Sequence, residues 1–152
     1  EIDTDAIVNY KNKLLQEEQP KCVRYCIATD LSEHDDGCWI DQLTATGFDK
    51  SKPSTWILEG FLYYVVPEGV KRLLTQIQEL SAPGSILAAD IMNVASTQSK
   101  TEKWSEMWNF GCDDPVGLFQ DSGWTQVTAE IPLDAAKKYP GYEKEGIVLA
   151  AK

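Results

Sequence analysis

The fold is decided by Thr55-Trp56-Ile57-Leu58-Glu59, the run Pro67–Leu80, and Ser85-Ile86-Leu87-Ala88-Ala89. The first segment is predicted to be a compact buried strand. The last is small and apolar without alternation, as expected for a strand covered on both faces of a sheet. The run between them begins with a proline suited to a first helical turn and carries an apolar stripe with helical spacing. A strand, a helix of about ten to fifteen residues and a second strand predict a parallel pair. The chain is therefore predicted to be α/β.

The remainder of the chain continues this alternation. Asp5–Glu18 is a predicted amphipathic helix, with Ile7, Tyr10 and Leu14 on its apolar side and a solvated polar face. The other predicted helices are Cys38–Thr46, closed by Gly47, Lys100–Phe110 and Pro115–Asp121. The other predicted strands are Cys22–Thr29, Trp124–Ile131 and Gly146–Ala151. The connection Pro132–Glu145 has room for little helix, so one terminal strand is expected to run antiparallel. The expected architecture is an open, doubly wound, mostly parallel sheet with helices on both faces.

The composition excludes several classes of function. The chain has 152 residues and a formal net charge of -10, which repels phosphate backbones and anionic lipid surfaces. Its longest apolar runs, Trp56–Val66 and Ile86–Val94, are interrupted by acids and are shorter than the ~18 residues of a membrane span. No export signal is visible. We expect a cytoplasmic protein that binds neither nucleic acid nor membrane.

Metal-binding and nucleophilic chemistry have little support in the residue inventory. The one histidine, His34, lies in a polar run expected to form a solvated loop. None of the four cysteines forms a CxxC pair, and we expect reduced, mostly buried thiols. Neither a zinc site nor a Ser/His/Asp triad is predicted.

Acidic residues follow each predicted strand of the parallel part of the sheet. They are Asp3, Asp30, Glu59 and Asp90. Ligands of open parallel sheets bind beyond the carboxyl ends of the strands, where such carboxylates can accept from hydroxyls, an ammonium or a cation. The alternative is that each acid simply caps a helix, an interpretation that suits Asp3 and Asp30 better than Glu59.

Two blocks carry a resemblance to a known family. Pro53–Val65 contains Trp-Ile-Leu-Glu-Gly, and Leu80–Ala88 contains Leu-Ser-Ala-Pro-Gly-Ser. Together with Ile27–Leu31, Leu43–Asp49 and Asp113–Val116, they resemble the leucine carboxyl methyltransferase family of S-adenosylmethionine-dependent O-methyltransferases. The resemblance runs over essentially the whole chain and implies a Rossmann-like methyltransferase fold.

The resemblance also implies roles for individual residues. Asp3 would accept hydrogen bonds from the ribose hydroxyls of S-adenosylmethionine, Asp30 and Leu31 would flank its adenine, and Glu59 with Gly60 would lie near its methionine ammonium. Tyr64, Asp90 and the region Trp104–Trp108 would border the site of the methyl acceptor, although core or lid packing explains the aromatic residues equally well. The acceptor would be a carboxylate or hydroxyl of a small molecule or a protein. Methyl transfer to oxygen depends mostly on alignment, so no metal and no catalytic residue is assigned.

One part of the family pattern is absent. The first strand of the family's sheet and its glycine-rich turn precede the Glu1-Ile2-Asp3 motif, and no GxGxxG occurs in this chain. We therefore expect residues 1–152 to be the C-terminal portion of one methyltransferase domain, continuous with an N-terminal segment. The alternative is a non-catalytic binding or regulatory module that keeps the fold. A nucleotide- or NAD-linked α/β enzyme is a third possibility, and it would need a glycine turn of the same kind.

Overall fold

The computed structural model describes residues 1–32, 38–98, 105–130 and 145–152. The chain divides into two compact units, Glu1–Asp49 and Lys50–Lys152, and each contains a sheet of its own. His34 and Trp104 lie outside the described residues, as does nearly all of the connection Pro132–Glu145. The predictions made for these three features stay predictions.

The Glu1–Asp49 unit is a small strand-helix-strand-helix arrangement. Its elements are β1 (Ile2–Asp3), α1 (Asp5–Leu14), β2 (Ile27–Ala28) and α2 (Cys38–Ala45). The two strands are parallel, with Ile2 opposite Ile27 and Asp3 opposite Ala28. The predicted strand Cys22–Thr29 is shorter than expected because its partner β1 offers only two residues to pair with.

The apolar side of α1 faces outward. Tyr10 and Leu14 are 61% and 63% exposed, Ile7 is also exposed, and Val8 is the buried residue of the helix. The helix is therefore present as predicted, but its predicted apolar stripe is not a core surface in this chain. Two strands of two residues each are too small to cover a stripe of two helical turns.

The Lys50–Lys152 unit holds a four-stranded mixed sheet. Its strands are β3 (Thr55–Leu58), β4 (Ile86–Met92), β5 (Gln126–Glu130) and β6 (Glu145–Ala151), in the order β3-β4-β6-β5. Its helices are α3 (Pro67–Glu79), α4 (Val94–Gln98) and α5 (Pro115–Asp121), with single 3-10 turns at Leu62–Tyr64 and Ser105–Met107. Strands β3 and β4 are parallel, and β6 is antiparallel to both of its neighbours. The predicted α/β class and the antiparallel terminal strand are confirmed.

Helix α3 supplies much of the core of this unit. Its predicted stripe is buried in full, at Val70, Leu73, Leu74, Ile77 and Leu80. Alternate residues of β4, Leu87 and Ala89, are buried on one face of the sheet. On that face the indole nitrogen of Trp56 donates to the Ser81 hydroxyl just beyond α3, at 2.9 Å. The helix therefore packs on the face that carries Trp56 and Leu87.

The opposite face of the same sheet is apolar and exposed. Ile57 is 70% exposed, and Ile86 and Leu149 are about half exposed. The expectation that Ser85–Ala89 is covered on both faces is therefore wrong for this chain, and Thr55–Glu59 is not the fully buried strand that was predicted. An apolar run does not show how many of its faces are covered, and α3 covers only one of them.

The prediction of a helix over Lys100–Phe110 is wrong for residues 105–110, which are the part of it that the structure describes. Only Ser105–Met107 turns, as a 3-10 helix. The backbone N–H groups of Asn109 and Phe110 donate to the Tyr63 carbonyl, at 2.7 and 3.2 Å, and are therefore not available to a helix of their own segment. A contact distant in sequence replaces the local hydrogen-bonding pattern.

None of the four cysteines, all of which lie in the described part of the chain, forms a disulfide bond, and they are not buried. Cys22 and Cys38 are exposed, and Cys26 and Cys112 are partly exposed. The prediction of mostly buried thiols is wrong. Cys22 and Cys26 precede the two paired residues of β2, and Cys38 is the first residue of α2. None of the helices in the described part of the chain combines the length and apolar character of a membrane-spanning segment.

Candidate functional site

Asp3 and Asp30 follow the two strands of the first unit. Asp3 is the last residue of β1, and Asp30 lies two residues beyond β2. Since these strands are parallel, both acids lie at the same end of the pair, and the Thr29 N–H donates to the Asp3 carbonyl at 2.9 Å. This placement at the carboxyl ends of parallel strands is the one predicted from the sequence.

Neither acid caps a helix. The Asp3 carboxylate accepts from the N–H of the next residue, Thr4, at 2.9 Å, and Thr4 itself is the N-cap of α1. The Asp30 carboxylate accepts from the backbone N–H of Ser32 at 2.9 Å and also from its hydroxyl, which shapes the loop after β2. Leu31, between them, is partly buried. Each carboxylate keeps accepting capacity beyond these bonds, because an ionised carboxyl group has about four lone-pair sites.

A cationic pair lies beside Asp3 and is engaged mainly by Glu1. The Lys11 Nζ is 2.7 Å from Glu1 Oε1 and 3.5 Å from Asp3 Oδ2, and Arg24 Nη2 is 2.6 Å from Glu1 Oε2. Hydrogen bonds from Lys11 and then Arg24 lower the pKa of Glu1 to about 2. Glu1 therefore takes the closer bond to Lys11, and Asp3 is left with a long contact. Sequence reasoning gave Glu1 no role, since nothing local links it to Arg24.

Glu59, Gly60 and Asp90 lie together in the second unit. Leu58 is opposite Ala89 in the parallel pair of β3 and β4, so the chain leaves β3 beside Asp90. The Gly60 N–H donates to Asp90 Oδ1 at 2.7 Å, and Gly60 has a φ of +64°, a conformation that glycine adopts without strain. Glu59 is exposed, and among the described residues its carboxylate has no hydrogen-bond partner.

Asp90 is not at the end of its strand. The prediction ended the strand at Ala89, but β4 continues through Ile91 and Met92, which are buried and pair with the start of β6. Asp90 is therefore an internal strand residue that is only partly exposed. Burial raises its pKa, the N–H of Gly60 opposes that shift, and the negative charge of Glu59 adds to it.

The raised pKa of Asp90 predicts a pH-dependent stability. When the pKa of a group is higher in the folded than in the unfolded protein, its contribution to stability is fully present below the unfolded-state pKa. This contribution is lost as the pH rises through the folded-state pKa. We expect Asp90→Asn to be more stable than the parent at pH 7, because it removes a partly buried charge and keeps an acceptor oxygen. The difference should shrink as the pH falls towards 4, near the ordinary pKa of about 3.9. Urea unfolding at several pH values measures it, and a difference that widens towards low pH would contradict the assignment.

A cavity of about 460 Å³ lies in the chain's second unit. Its walls combine apolar and aromatic side chains with neutral polar ones, and they are Pro67, Val94, Thr97, Gln98 and residues 108–111. The described lining carries no charged side chain. A partly apolar cavity with a few neutral polar groups is typical of a small-molecule site.

Asn109 fixes one wall of this cavity to the turn that contains Tyr64. Its side-chain amide donates to the Tyr64 carbonyl at 2.9 Å, and its backbone N–H donates to the Tyr63 carbonyl. The ring of Trp108 meets that of Tyr63 edge-on, with centroids 5.8 Å apart. Tyr64 itself is not among the residues that line the cavity, and its predicted place beside the acceptor stays a prediction. Asn109 was not predicted, because the residues it bonds lie 45 or more positions away.

Gly111 allows the cavity wall to approach the start of α4. A Cβ atom on Gly111 would lie 2.8 Å from the Asn93 carbonyl oxygen and 2.9 Å from Val94 Cα, both backbone atoms. We expect Gly111→Ala to destabilise the protein by about 1–3 kcal/mol, as overpacking does. The exposed Ala95→Ser in α4 is the control and should change stability by less than about 0.5 kcal/mol. Urea unfolding compares them, and an unchanged Gly111→Ala midpoint would contradict this packing.

Sequence comparison gives a family match over just over half of the chain. The model of the leucine carboxyl methyltransferase family matches residues 1–78. That span includes Asp3, Asp30, Leu31, Glu59, Gly60 and Tyr64.

Curated relatives share the name “Putative S-adenosyl-L-methionine-dependent methyltransferase”. The relative from Parafrankia sp. (strain EAN1pec) is 30% identical over 163 residues, which cover 93% of this chain and 51% of that protein. The relative from Mycobacterium ulcerans (strain Agy99) is 34% identical over 154 residues, which cover 87% of this chain and 46% of that protein. The chain spans about half the length of the curated relatives it matches.

Solved structures with little sequence identity have the same fold. An S-adenosylmethionine-dependent methyltransferase from Mesorhizobium loti matches with a TM-score of 0.63 at 12% identity, covering 99% of this chain and 78% of its own. An O-methyltransferase family protein from Burkholderia thailandensis matches with a TM-score of 0.61 at 12% identity, covering 99% of this chain and 42% of its own. At such identities the likeness concerns the fold alone, and it confirms the predicted Rossmann-like methyltransferase fold.

Proposed function

Because the chain belongs to the leucine carboxyl methyltransferase family, we propose that the protein transfers a methyl group from S-adenosylmethionine to an oxygen atom of an acceptor. The acceptor oxygen belongs to a carboxylate or a hydroxyl group. The observation that carries this proposal is the family match over residues 1–78, which contains all five residues assigned to the cofactor. The protein would act as an enzyme on a small-molecule or protein acceptor.

The hydrogen-bond acceptors among these residues suit the donors of the cofactor. Asp3 would accept hydrogen bonds from the two ribose hydroxyls. Its carboxylate is one-third exposed, and among the described residues it accepts from the Thr4 N–H and has a long contact to Lys11. Asp30 and Leu31 would flank the adenine. Glu59, which is exposed, would accept from the methionine ammonium beside Gly60. When bound, S-adenosylmethionine supplies a methyl group on a positively charged sulfur, and the carboxylates of this chain favour a ligand of that charge.

The cavity beside Trp108 supports an acceptor site. Trp108 and Phe110 give it flat apolar walls, and Asn109 holds this segment against the turn that begins after Gly60. Methyl transfer needs the acceptor oxygen to be aligned with the methyl carbon, so a rigid wall is the main contribution that the protein has to make. Asp90 and Tyr64 would support this region from the adjoining strand and turn. The neutral lining favours the hydroxyl over the carboxylate, because a charge placed there would lack a partner among the described residues.

A labelling experiment tests the proposed activity and classifies the acceptor. The complete protein would be incubated with methyl-labelled S-adenosylmethionine and an extract of the cells that express it. Label should enter the small-molecule or the protein fraction. Mild alkali should release it as methanol from a methyl ester and leave it in place in a methyl ether, which separates the two acceptor classes. Cofactor binding with no label in either fraction would favour the non-catalytic module, and neither binding nor labelling would contradict the proposal.

A further inference from the structure

We propose that Asp90 is a positioning residue, which holds Gly60 in its left-handed conformation and thereby sets the direction in which Glu59 meets the cofactor. This inference rests on the proposed function. It differs from the role that the family resemblance implies for Asp90, which is to border the acceptor. It also assigns Gly60 a conformational role, where the family resemblance implies only a place near the methionine ammonium.

The hydrogen bond from Gly60 to Asp90 joins two segments 30 residues apart. At 2.7 Å it is short for an N–H donor, as charge-assisted bonds are. Asp90 is fixed because it lies inside β4, opposite Ile147 in the ladder with β6. Gly60 lies beyond the end of β3, where the sheet ladder no longer constrains the backbone. The rigid partner is therefore Asp90, and the residue that needs to be held is Gly60.

The conformation of Gly60 requires this support. A φ of +64° is open to glycine but costs other residues about 1–2 kcal/mol. Glycine also loses more freedom than any other residue on being ordered, so a turn built on it is defined only if a contact holds it. The Gly60 N–H is already donated to Asp90 and is not free to bind the cofactor. What Gly60 can contribute is the direction of the chain on either side of it, including Glu59.

The Tyr63 ring lies between Gly60 and Trp108, a residue of the cavity wall. A Cβ atom placed on Gly60 would lie 3.4 Å from the Tyr63 hydroxyl oxygen, and the Tyr63 ring meets Trp108 edge-on. The turn is therefore held at its start by Asp90 and at its end by Asn109. Asp90 contacts Gly60, which is one of the residues assigned to the cofactor.

Two substitutions separate positioning from charge. Asp90→Asn keeps an acceptor oxygen for the Gly60 N–H and loses the negative charge, whereas Asp90→Ala loses both. If Asp90 acts through Gly60, asparagine should restore most of what alanine removes. If the charge acts directly on the cofactor or the acceptor, asparagine should be as damaging as alanine.

The first measurement needs no cofactor. The backbone amide of Gly60 in the complete protein is observed by NMR, in the parent and both variants. We expect a downfield amide proton that is protected from exchange in the parent and in Asp90→Asn, and that loses both properties in Asp90→Ala. A Gly60 amide that is the same in the parent and in Asp90→Ala would overturn the proposal.

The second measurement is the affinity for S-adenosylhomocysteine. We expect Asp90→Ala to bind about tenfold more weakly or worse, which is the loss expected from one hydrogen bond to a charged group, and Asp90→Asn to recover most of that loss. Gly60→Ala should weaken binding as well, and the double variant should be no worse than the weaker single one, because the two residues act as one unit. The exposed Asp121→Ala, in α5, is the control and should stay within about twofold of the parent.

Three results contradict the proposal in different ways. Equal losses in Asp90→Asn and Asp90→Ala would assign the role to charge, additive losses in the double variant would separate Asp90 from Gly60, and an unchanged affinity in Asp90→Ala would remove Asp90 from the site. If Asp90→Ala fails to fold, the NMR and affinity data for Asp90→Asn and Gly60→Ala still decide. A parent protein that binds no S-adenosylhomocysteine would refute the proposed function itself, and the NMR result would then describe only the turn.

Discussion

Replacing Glu59 by alanine is expected to weaken the binding of S-adenosylhomocysteine by the complete protein about 10- to 100-fold, since a charge-assisted hydrogen bond to an ammonium contributes about 1.5–3 kcal/mol. Glu59 is exposed and accepts no hydrogen bond within the described part of the chain, so its carboxylate is available for a ligand. It follows β3 directly, and the bond from Gly60 to Asp90 fixes the backbone beside it.

The controls for Glu59 separate affinity from folding. Glu59→Gln keeps the shape and an acceptor oxygen but removes the charge, and we expect it to lie between the parent and Glu59→Ala. Glu79→Ala changes an exposed acid at the end of α3 and should leave the affinity within about twofold. Isothermal titration calorimetry measures all four proteins, and urea unfolding should show nearly equal stabilities. An affinity unchanged in Glu59→Ala would remove Glu59 from the cofactor site.

Replacing Asp3 is the second substitution with a large expected effect. If its carboxylate accepts from both ribose hydroxyls, its loss removes two charge-assisted bonds, and Asp3→Ala should weaken binding by about 100-fold. Asp3→Asn keeps an acceptor for the Thr4 N–H and therefore keeps the local turn at the start of α1. It should still lose at least about tenfold in affinity, because the negative charge is gone.

Asp5 offers a matched control for Asp3. It is an exposed aspartate two positions along the chain, in the first turn of α1, and its carboxylate accepts from the Asn9 side chain at 2.9 Å. Asp5→Ala should change the affinity by no more than about twofold. Adenine binding provides a further check, because adenine lacks the ribose and its affinity should be the same in the parent and in Asp3→Asn. An Asp3→Asn variant that binds S-adenosylhomocysteine as the parent does would contradict the assignment.

The elements that the sequence predicted well are those with strong local signals. Helix α3 begins at Pro67 as predicted, and its five-residue stripe is buried. Helix α5 has the predicted bounds, Pro115–Asp121, since proline suits its first turn and the side chain of Asp114 caps it at 2.9 Å. Helix α2 and strand β6 lie within one residue of their predicted bounds. In each case the residues that set the boundary are close together in the sequence.

The errors in the fold arise where partners decide the outcome. The apolar stripe of α1 and the apolar face with Ile57 and Leu149 are exposed, because periodicity shows that a face is apolar and not what covers it. Strand β4 continues past Asp90 because β6 pairs with its last residues. The segment after Met107 is held by the Tyr63 carbonyl and not by its own helix.

The candidate site shows the same division. The sequence placed Asp3, Asp30 and Glu59 at strand ends, and the structure has them there. Their roles toward the cofactor stay predictions. The bonds that organise the second unit's site, from Gly60 to Asp90 and from Asn109 to Tyr64, join residues 30 and 45 positions apart and leave no local signal. Gly111 is required by a close backbone approach that only the fold creates.

The measurement that tests the central claim most directly is calorimetric titration of the complete protein with S-adenosylhomocysteine. The proposed function predicts a saturable heat with one binding site per protein molecule and a dissociation constant in the micromolar range or tighter. The absence of any binding heat from a folded complete protein at ligand concentrations up to about 1 mM would contradict it. A dissociation constant above 1 mM corresponds to a binding free energy weaker than about -4 kcal/mol.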